Sequence, residues 1–356
     1  FLYHPCLPLG EDGKRVTASK KHIELSRKAA GEGMVLLKNN GTLPLAKGTK
    51  VVLFGQASYN YMQGGGGSGV VNSPYVHNLY DGFNAKAKEG KVEVFSPLEV
   101  FYKEYVDREK EKGLLWSRQE AKDIGLFEME DAIERDLKTG EINRKMQVQE
   151  IEIPRELFEQ AVAFADTAII SINRHASEVW DRVSEKGDYY LSDEECNLIE
   201  KVTASFKHCI VVLNVGGIVD TTWFKENDSI DSVLMAWVAG MEGGYAIADI
   251  LCGDVNPSGK LTDTLAKSCE DYPFSKEFTE SGAYVEYSED IYVGYRYFET
   301  IPGAKEKVNY QFGYGLSYTN FKVWAISCKE EQDTITVTVK VTNTGDIAGK
   351  EVVQIY

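Results

Sequence analysis

The sequence predicts an α/β fold in which a mainly parallel sheet is flanked by helices, followed by part of an all-β sandwich. Two observations predict it. Short apolar, β-branched runs alternate with helical patterns through residues 21–315, and this alternation favours a parallel sheet with right-handed crossovers. From about residue 316 the pattern changes to alternation with period two, which is typical of strands that bury one face.

The predicted strands of the first region are apolar in succession, as expected of strands that are buried on both faces. They are residues 50–55, 92–95, 167–172, 208–214 and 231–237.

The predicted helices carry recognisable start and stop signals. The first begins near His22, continues its apolar face through Leu36 and is stopped by residues 39–41. A later helix begins at Ser192, where Glu195 completes a capping box, and runs to about residue 207. The others are predicted at residues 77–84, after Pro154 and at 240–252.

These patterns divide the chain into an N-terminal extension (1–20), a first domain (21–315) and an incomplete second domain (316–356). The first domain contains a charge-rich, helical insertion or lid near residues 101–150. In the second domain, residues 321–326, 334–341 and 351–356 are predicted strands, too few to complete a β-sandwich.

Composition excludes several classes of function. The 356 residues carry a net charge of −16, which argues against nucleic acid and anionic membranes as partners and is compatible with neutral ligands such as sugars. No run of about 18 apolar residues is present, so no membrane span is predicted. Because no export signal is visible, we expect a cytoplasmic protein. The six cysteines form no CxxC pair and the five histidines are scattered, so neither a metal site nor a cofactor is predicted.

Polar and charged side chains follow the predicted strand 167–172 at once. Ligands of open α/β sheets bind beyond the carboxyl ends of the strands, so Glu178 is placed like a general acid. Burial against Trp180 would raise its pKa, whereas Arg174 and Arg182 would lower it. The alternative is structural: the spacing i, i+4, i+8 of Arg174, Glu178 and Arg182 would form an ion-pair ladder on a helix surface.

A run of glycines, residues 64–69 with Ser68 inserted, follows the predicted strand 50–55. We call it the glycine loop. Such a run lets the backbone approach a ligand closely. A phosphate-binding loop is disfavoured, because the glycines begin nine positions after the strand's last residue and no GK[ST] follows. A surface loop with no ligand is the other alternative.

Several of these segments together resemble glycoside hydrolase family 3, specifically its (α/β)6 sandwich domain and the fibronectin type III-like domain that follows. They occur in family order over nearly all of residues 20–356. The matching segments are 27–40, 64–69, 178–182, 187–191, 211–216, 253–261, 292–298 and 312–318.

The resemblance implies a retaining exo-β-glycosidase, most closely a β-glucosidase. It places the acid/base role on Glu178 and assigns the nucleophile to an Asp of a TIM-barrel domain, which this sequence does not contain. The order of the segments resembles that of members in which the barrel follows the fibronectin type III-like domain, so we expect the barrel on a downstream segment or on another chain. It also implies that the glycine loop, with Gly67 and Ser68, contacts the sugar and that Trp180 borders the aglycone. His175 and Ser177 depart from the small or apolar residue and the glycine expected there.

Two alternatives remain at this point. The first is that the protein is a β-xylosidase or another exo-glycosidase of the same family, because the choice of glycone would depend on pocket residues of the barrel. The isolated chain could also be a non-catalytic carbohydrate-binding or assembly module, because it holds one carboxylate of the pair that double displacement requires.

Overall fold

A computed structural model describes residues 13, 17–66, 69–177, 182–273, 284, 286–287 and 289–355. The helices of these residues are α1 (Lys20–Gly33), α2 (Leu79–Lys88), α3 (Pro97–Asp123), α4 (Ala132–Lys145), α5 (Arg155–Phe164), α6 (Asp193–Ser205), α7 (Thr222–Lys225), α8 (Gly243–Leu251) and α9 (Tyr295–Thr300). The strands are β1 (Val35–Asn39), β2 (Thr49–Phe54), β3 (Val92–Val94), β4 (Thr167–Arg174), β5 (His208–Val215), β6 (Ser232–Met235), β7 (Leu265–Ala266), β8 (Val308–Tyr310), β9 (Phe321–Glu331) and β10 (Thr334–Asn343).

The central sheet has six strands in the order β1-β6-β5-β4-β2-β3. Strands β2 to β6 pair in parallel, and β1 pairs with β6 in the antiparallel direction at one edge. The predicted α/β fold with a mainly parallel sheet is therefore confirmed.

The burial of the central strands explains why their sequences are continuous runs of apolar residues. Ile169, Ile170, Val211 and Val212 are fully buried, because helices cover both faces of the sheet. Every predicted strand of the first domain is present, with bounds that differ by at most three residues from the prediction.

The prediction of one helix from His22 through Leu36 was wrong at its end. Helix α1 stops at Gly33, and residues 35–39 form β1. Met34, Val35, Leu36 and Leu37 are each at most 1% exposed. Four consecutive buried residues fit a strand covered on both faces, whereas a surface helix buries only one stripe.

The charge-rich segment near residues 101–150 forms the long helix α3 and the helix α4. Tyr102 and Val106 of α3 are fully buried, while Leu115 and Phe127 are exposed. After α4 the chain returns to the sheet without regular structure at residues 147–154. This return places Glu150 next to the end of β2.

The second region begins with the antiparallel hairpin of β9 and β10, which confirms two of its three predicted strands. The third prediction, residues 351–356, was wrong for the described residues 351–355, which form no strand. A strand requires a hydrogen-bonded neighbour, and alternation of side chains alone does not supply one. Val352 and Ile355 are correspondingly exposed.

Candidate active site

The sheet has a topological switch point between β2 and β4. The chain leaves β2 for β3 on one side and returns to β4 on the other side, and ligands of open α/β sheets bind at such points beyond the carboxyl ends. Gly55, with φ of 88°, turns the chain there, and a Cβ on it would lie 2.2 Å from the backbone oxygen of Ser171. Only glycine therefore fits between the ends of these strands.

A side-chain amide network joins the two strand ends at the switch point. Gln56, which is 4% exposed, donates from Nε2 to Oδ1 of Asn173 at 3.0 Å. Asn173 donates to the backbone oxygen of Asn60 at 2.7 Å, and Asn60 donates to Oε1 of Gln56 at 2.9 Å. The segment that precedes the glycine loop is thus tied to the end of β4.

Arg174, the last residue of β4, is held by Glu195 from the first turn of α6. The guanidinium donates to the two carboxylate oxygens of Glu195 at 2.7 and 2.6 Å, and to the backbone oxygen of Asp188 at 2.7 Å. Glu195 also accepts from Ser192 N at 2.8 Å, which confirms the predicted capping box. A bidentate pair with both partners nearly buried fixes the end of β4.

Arg182 holds the other end of the loop that begins at His175. Its guanidinium donates to the backbone oxygens of His175 at 2.9 Å and Gly216 at 2.6 Å, and it pairs with the carboxylate of Asp188. Asp188 in turn accepts from Val183 N at 2.8 Å. Arg174 lies in a strand, so the alternative of a helical ion-pair ladder starting at Arg174 is excluded, and both arginines hold the loop.

The glycine loop packs directly against the loop that follows β4. Gly66 N donates to Ala176 O at 3.1 Å. A Cβ on Gly65 would lie 3.0 Å from that oxygen, and one on Gly66 would lie 2.8 Å from both His175 Cε1 and Ser177 Oγ. The glycines therefore permit a contact between the two loops that larger residues would prevent.

The residues predicted to act on or contact the substrate lie outside the described residues. They are Glu178, Trp180, Gly67 and Ser68. The described chain ends at Ser177 and resumes at Arg182 around Glu178 and Trp180, and it ends at Gly66 and resumes at Gly69 around Gly67 and Ser68. His175 and Ser177 precede Glu178, and burial together with the nearby Arg182 charge lowers the pKa of His175.

A small cavity of about 70 Å³ lies under the switch point, between residues 147–150 and the Arg174–Glu195 pair. Glu150 contributes a carboxylate to its wall and accepts from Gln56 N at 2.8 Å and from its neighbour Ile151 N at 3.1 Å. Burial is the main reason why the pKa of Glu150 is raised to about 8, and the charge of Glu195 adds to the shift. The surroundings of this carboxyl therefore favour its protonated, neutral form.

Sequence reasoning missed Glu150, Gln56 and the pairing of Arg174 with Glu195. Asn173 and Arg174 carried a readable signal, because polar residues at the carboxyl end of a buried strand face the switch point. Glu150 carried none, because it ends a segment in which charged residues are frequent.

Among the described residues, no group of three or more His, Cys, Asp or Glu side chains is arranged to hold a metal ion. Within the same residues, no helix is both long and apolar enough to cross a membrane.

Comparison with known proteins decides the family. Residues 34–318 match the glycosyl hydrolase family 3 C-terminal domain. The chain belongs to glycoside hydrolase family 3. It is 46% identical to β-glucosidase A of Butyrivibrio fibrisolvens over 99% of the chain and 44% of that protein.

Solved structures of the family have the same fold. A β-glucosidase from Paenibacillus barengoltzii is 36% identical with a TM-score of 0.76, over 92% of this chain and 33% of that one. β-Glucosidase 3B of Thermotoga neapolitana, solved with glucose, is 31% identical with a TM-score of 0.76, over 95% of this chain and 43% of that one. This family 3 chain thus spans less than half the length of each of these relatives.

Proposed function

We propose that this chain supplies the acid/base half of a retaining exo-acting β-glucosidase that removes terminal β-D-glucosyl residues from β-glucosides and oligosaccharides. The single observation that carries the proposal is the family 3 match over residues 34–318, together with relatives that are β-glucosidases. The geometry supports it: the segment that contains Glu178 starts at the switch point, where it contacts the glycine loop.

Glu178 is the proposed acid/base. In the first step it protonates the leaving oxygen while a partner carboxylate attacks the anomeric carbon and forms a glycosyl-enzyme intermediate. In the second step it removes a proton from the water that displaces the carboxylate, and the β configuration is retained. Arg174 and Arg182 hold the two ends of the segment, and Gly67, Ser68 and Trp180 are proposed to contact the sugar and its aglycone.

The nucleophile is proposed to be an Asp of a TIM-barrel domain outside these residues, on the same polypeptide or a separate chain. A retaining mechanism requires the two carboxyl groups to lie about 5–5.5 Å apart. The proposal therefore requires the carboxyl ends of the parallel strands of this sheet to face the barrel.

The substitution Glu178→Gln in the complete protein tests the proposed role. We expect hydrolysis of cellobiose to fall by about 10²–10⁴-fold, because its leaving sugar needs protonation. Hydrolysis of an aryl glucoside with an acidic phenol should suffer less at the bond-cleavage step. Glu185→Gln, which changes an exposed carboxylate on the same loop, is the matched control. Wild-type turnover of cellobiose by the Glu178→Gln protein would remove Glu178 from the reaction.

The activity of the 356-residue chain alone separates this proposal from a non-catalytic binding module. We expect essentially no hydrolysis of an aryl β-glucoside by the chain alone, and recovery when the barrel segment is added. Recovery on the aryl β-xyloside but not on the glucoside would instead favour a β-xylosidase. No hydrolysis of either substrate by the complete protein would favour a binding or assembly module.

A further inference from the structure

The cavity under the switch point joins the charge-rich insertion to the candidate site. Its wall combines residues from the insertion (Glu150 and the chain before it) with residues from the ends of β2 and β4 and the first turn of α6. Nothing in the proposed reaction uses this cavity or its buried carboxyl.

Glu150 links the insertion to Gln56, which lies just after β2, and through it to the segments that lead into both site loops. Its carboxylate accepts from Gln56 N, the residue that follows the turn at Gly55. The side chain of the same residue, Gln56, donates from Nε2 to Oδ1 of Asn173, and Asn173 donates to the Asn60 backbone oxygen ahead of the glycine loop. We propose that Glu150 is a positioning residue that holds the glycine loop and the loop after β4 in their relative positions.

Burial and the negative charge of Glu195 favour the neutral form of Glu150. Ionisable groups face it from every neighbouring element. They are Tyr80 on α2, Tyr102 and Tyr105 on α3, Arg144 on α4, Arg174 and His175 at the end of β4, Arg182 and Asp188 on the following loop, and Glu195 on α6.

The two arginines that carry the loop are already committed to other carboxylates. Arg174 is paired with Glu195, and Arg182 with Asp188. An ionised Glu150 would repel Glu195 and compete with it for Arg174, in a site where burial prevents water from screening the charge. Loss of the Glu150 proton should therefore loosen the end of β4.

This inference rests on the proposed function for its catalytic consequence but not for its structural one. The test thus has two independent readouts. In the first, hydrogen exchange of peptides that cover residues 60–66 and 174–177 is followed across pH and corrected for the intrinsic exchange rate. In the complete wild-type protein, we expect their exchange to rise as pH increases from about 4.5 to about 8, between the ordinary pKa of a glutamate and that of Glu150 in the fold, and then to level off. Exchange of residues 40–46, at the opposite ends of the parallel strands, should not change.

The isosteric, permanently neutral substitution Glu150→Gln should abolish that rise, and Glu152→Gln, an exposed carboxylate on the same segment, should leave it intact. If the Glu150→Gln protein does not fold, the wild-type comparison of the two ends of the strands still decides the matter. Exchange at residues 60–66 and 174–177 that stays flat with pH overturns the proposal, whatever the activity of the protein.

The second readout is the pH profile of kcat/KM for cellobiose. In the wild type we expect the alkaline limb to reflect more than one ionisation, Glu178 and Glu150, whereas Glu150→Gln should leave one. Glu150→Ala, which also removes the acceptor for Gln56 N, should lower kcat about ten- to a hundredfold at the optimum, and Glu150→Gln should restore most of it. Superimposable normalised profiles for wild type and Glu150→Gln contradict the catalytic consequence. A failure of the Glu178→Gln test with a preserved exchange result would reject the proposed function alone.

Discussion

A polar cleft lies at each end of the parallel strands of the central sheet. We call the end where these strands begin the amino edge and the end where they stop the carboxyl edge. The charged side chains at the two ends contact different parts of the chain. At the amino edge, a cleft of about 480 Å³ is lined by residues from the starts of β4 and β5. At the carboxyl edge, the cavity measures only about 70 Å³. The smaller cavity is nevertheless the one that lies beside the predicted site loops.

At the amino edge the buried carboxylate is satisfied locally. Asp231 accepts from Cys209 N at 2.8 Å and from the Asn40 side chain, and His208 Nδ1 lies 3.5 Å from it. These contacts join the residue before β6 to the start of β5 and to the segment that follows β1, and none of them reaches the glycine loop or the loop after β4. Their role is explained by stability of the sheet alone.

At the carboxyl edge the charged groups hold loops instead. Arg174 and Arg182 donate to backbone oxygens of the loops as well as to carboxylates, and a buried carboxyl with a raised pKa lies beneath them. The direction of the strands, rather than the size of the cleft, therefore indicates where the candidate site lies.

The largest stability effect is expected for Arg174→Met. Removing one partner of a buried ion pair leaves Glu195 uncompensated, which costs about 3–5 kcal/mol. Arg155→Met removes the exposed pair with Glu159 and should leave the free energy of unfolding nearly unchanged, because solvent screens a surface ion pair. Denaturant unfolding of both variants of the complete protein measures the contrast, and equal losses would mean that the carboxyl-edge pair is no more than a surface contact.

The pH dependence of stability sharpens the comparison at Glu150. The folded state raises the pKa of this carboxyl from 4.5 to about 8 and therefore binds its proton more tightly than the unfolded chain. The contribution of this proton to the free energy of unfolding is fully present below the pKa of Glu150 in the unfolded chain. It is lost as pH rises through the pKa of Glu150 in the folded protein, with a slope of at most about 1.4 kcal/mol per pH unit.

The wild type should therefore lose stability relative to Glu150→Gln as pH rises from about 4.5 to about 8, and the difference should level off above that window. Unfolding free energies measured across the window check the sign. A difference that does not change with pH would show that Glu150 does not titrate in the folded protein.

Two glycines with similar backbone angles separate conformation from crowding. Gly55 and Gly48 have φ of 88° and 83°, but only a Cβ on Gly55 meets backbone, whereas a Cβ on Gly48 meets nothing within 4 Å. Gly55→Ala should destabilise the protein by about 2–3 kcal/mol more than Gly48→Ala, because the strand ends must move apart. Thermal unfolding compares them, and similar midpoints would refute the close approach of β2 and β4.

The smallest effect is expected at the amino edge. Asp231→Asn replaces one acceptor oxygen by a donor and should cost about 1.5 kcal/mol. Because no site loop depends on Asp231, kcat and KM for cellobiose should not change. A large fall in kcat with an unchanged midpoint of unfolding would show that the amino edge takes part in the reaction.

The sequence predicted the sheet well because strands buried on both faces leave an unbroken apolar run. The same rule explains the error at β1: Met34 to Leu37 continued the helical pattern of α1, and only their complete burial reveals a strand. The strand predicted at residues 351–355 was wrong for another reason: apolar and polar residues alternate there, but no neighbouring strand of the described chain pairs with them. Ser192 and Glu195 were predicted as a helix cap because that contact is local, whereas the Arg174–Glu195 pair depends on packing between distant segments.

The resemblance and the position after β4 both predict Glu178 as the proton donor, but neither predicts a role for Glu150. Glu150 lies among many charged residues of an insertion, and nothing in that composition shows which carboxyl the fold will bury. Burial of a single charge is a property of tertiary packing.

The most direct test of the central claim is chemical rescue of the Glu178→Gln protein by azide on an aryl glucoside with an acidic phenol. Azide needs no general base when it displaces the partner carboxylate from the anomeric carbon, so turnover should rise with azide concentration and the product should be the β-glucosyl azide. The Glu185→Gln protein should form only glucose at an unchanged rate. If the Glu178→Gln protein gains no turnover and yields no glucosyl azide, residue 178 is not the acid/base of this site.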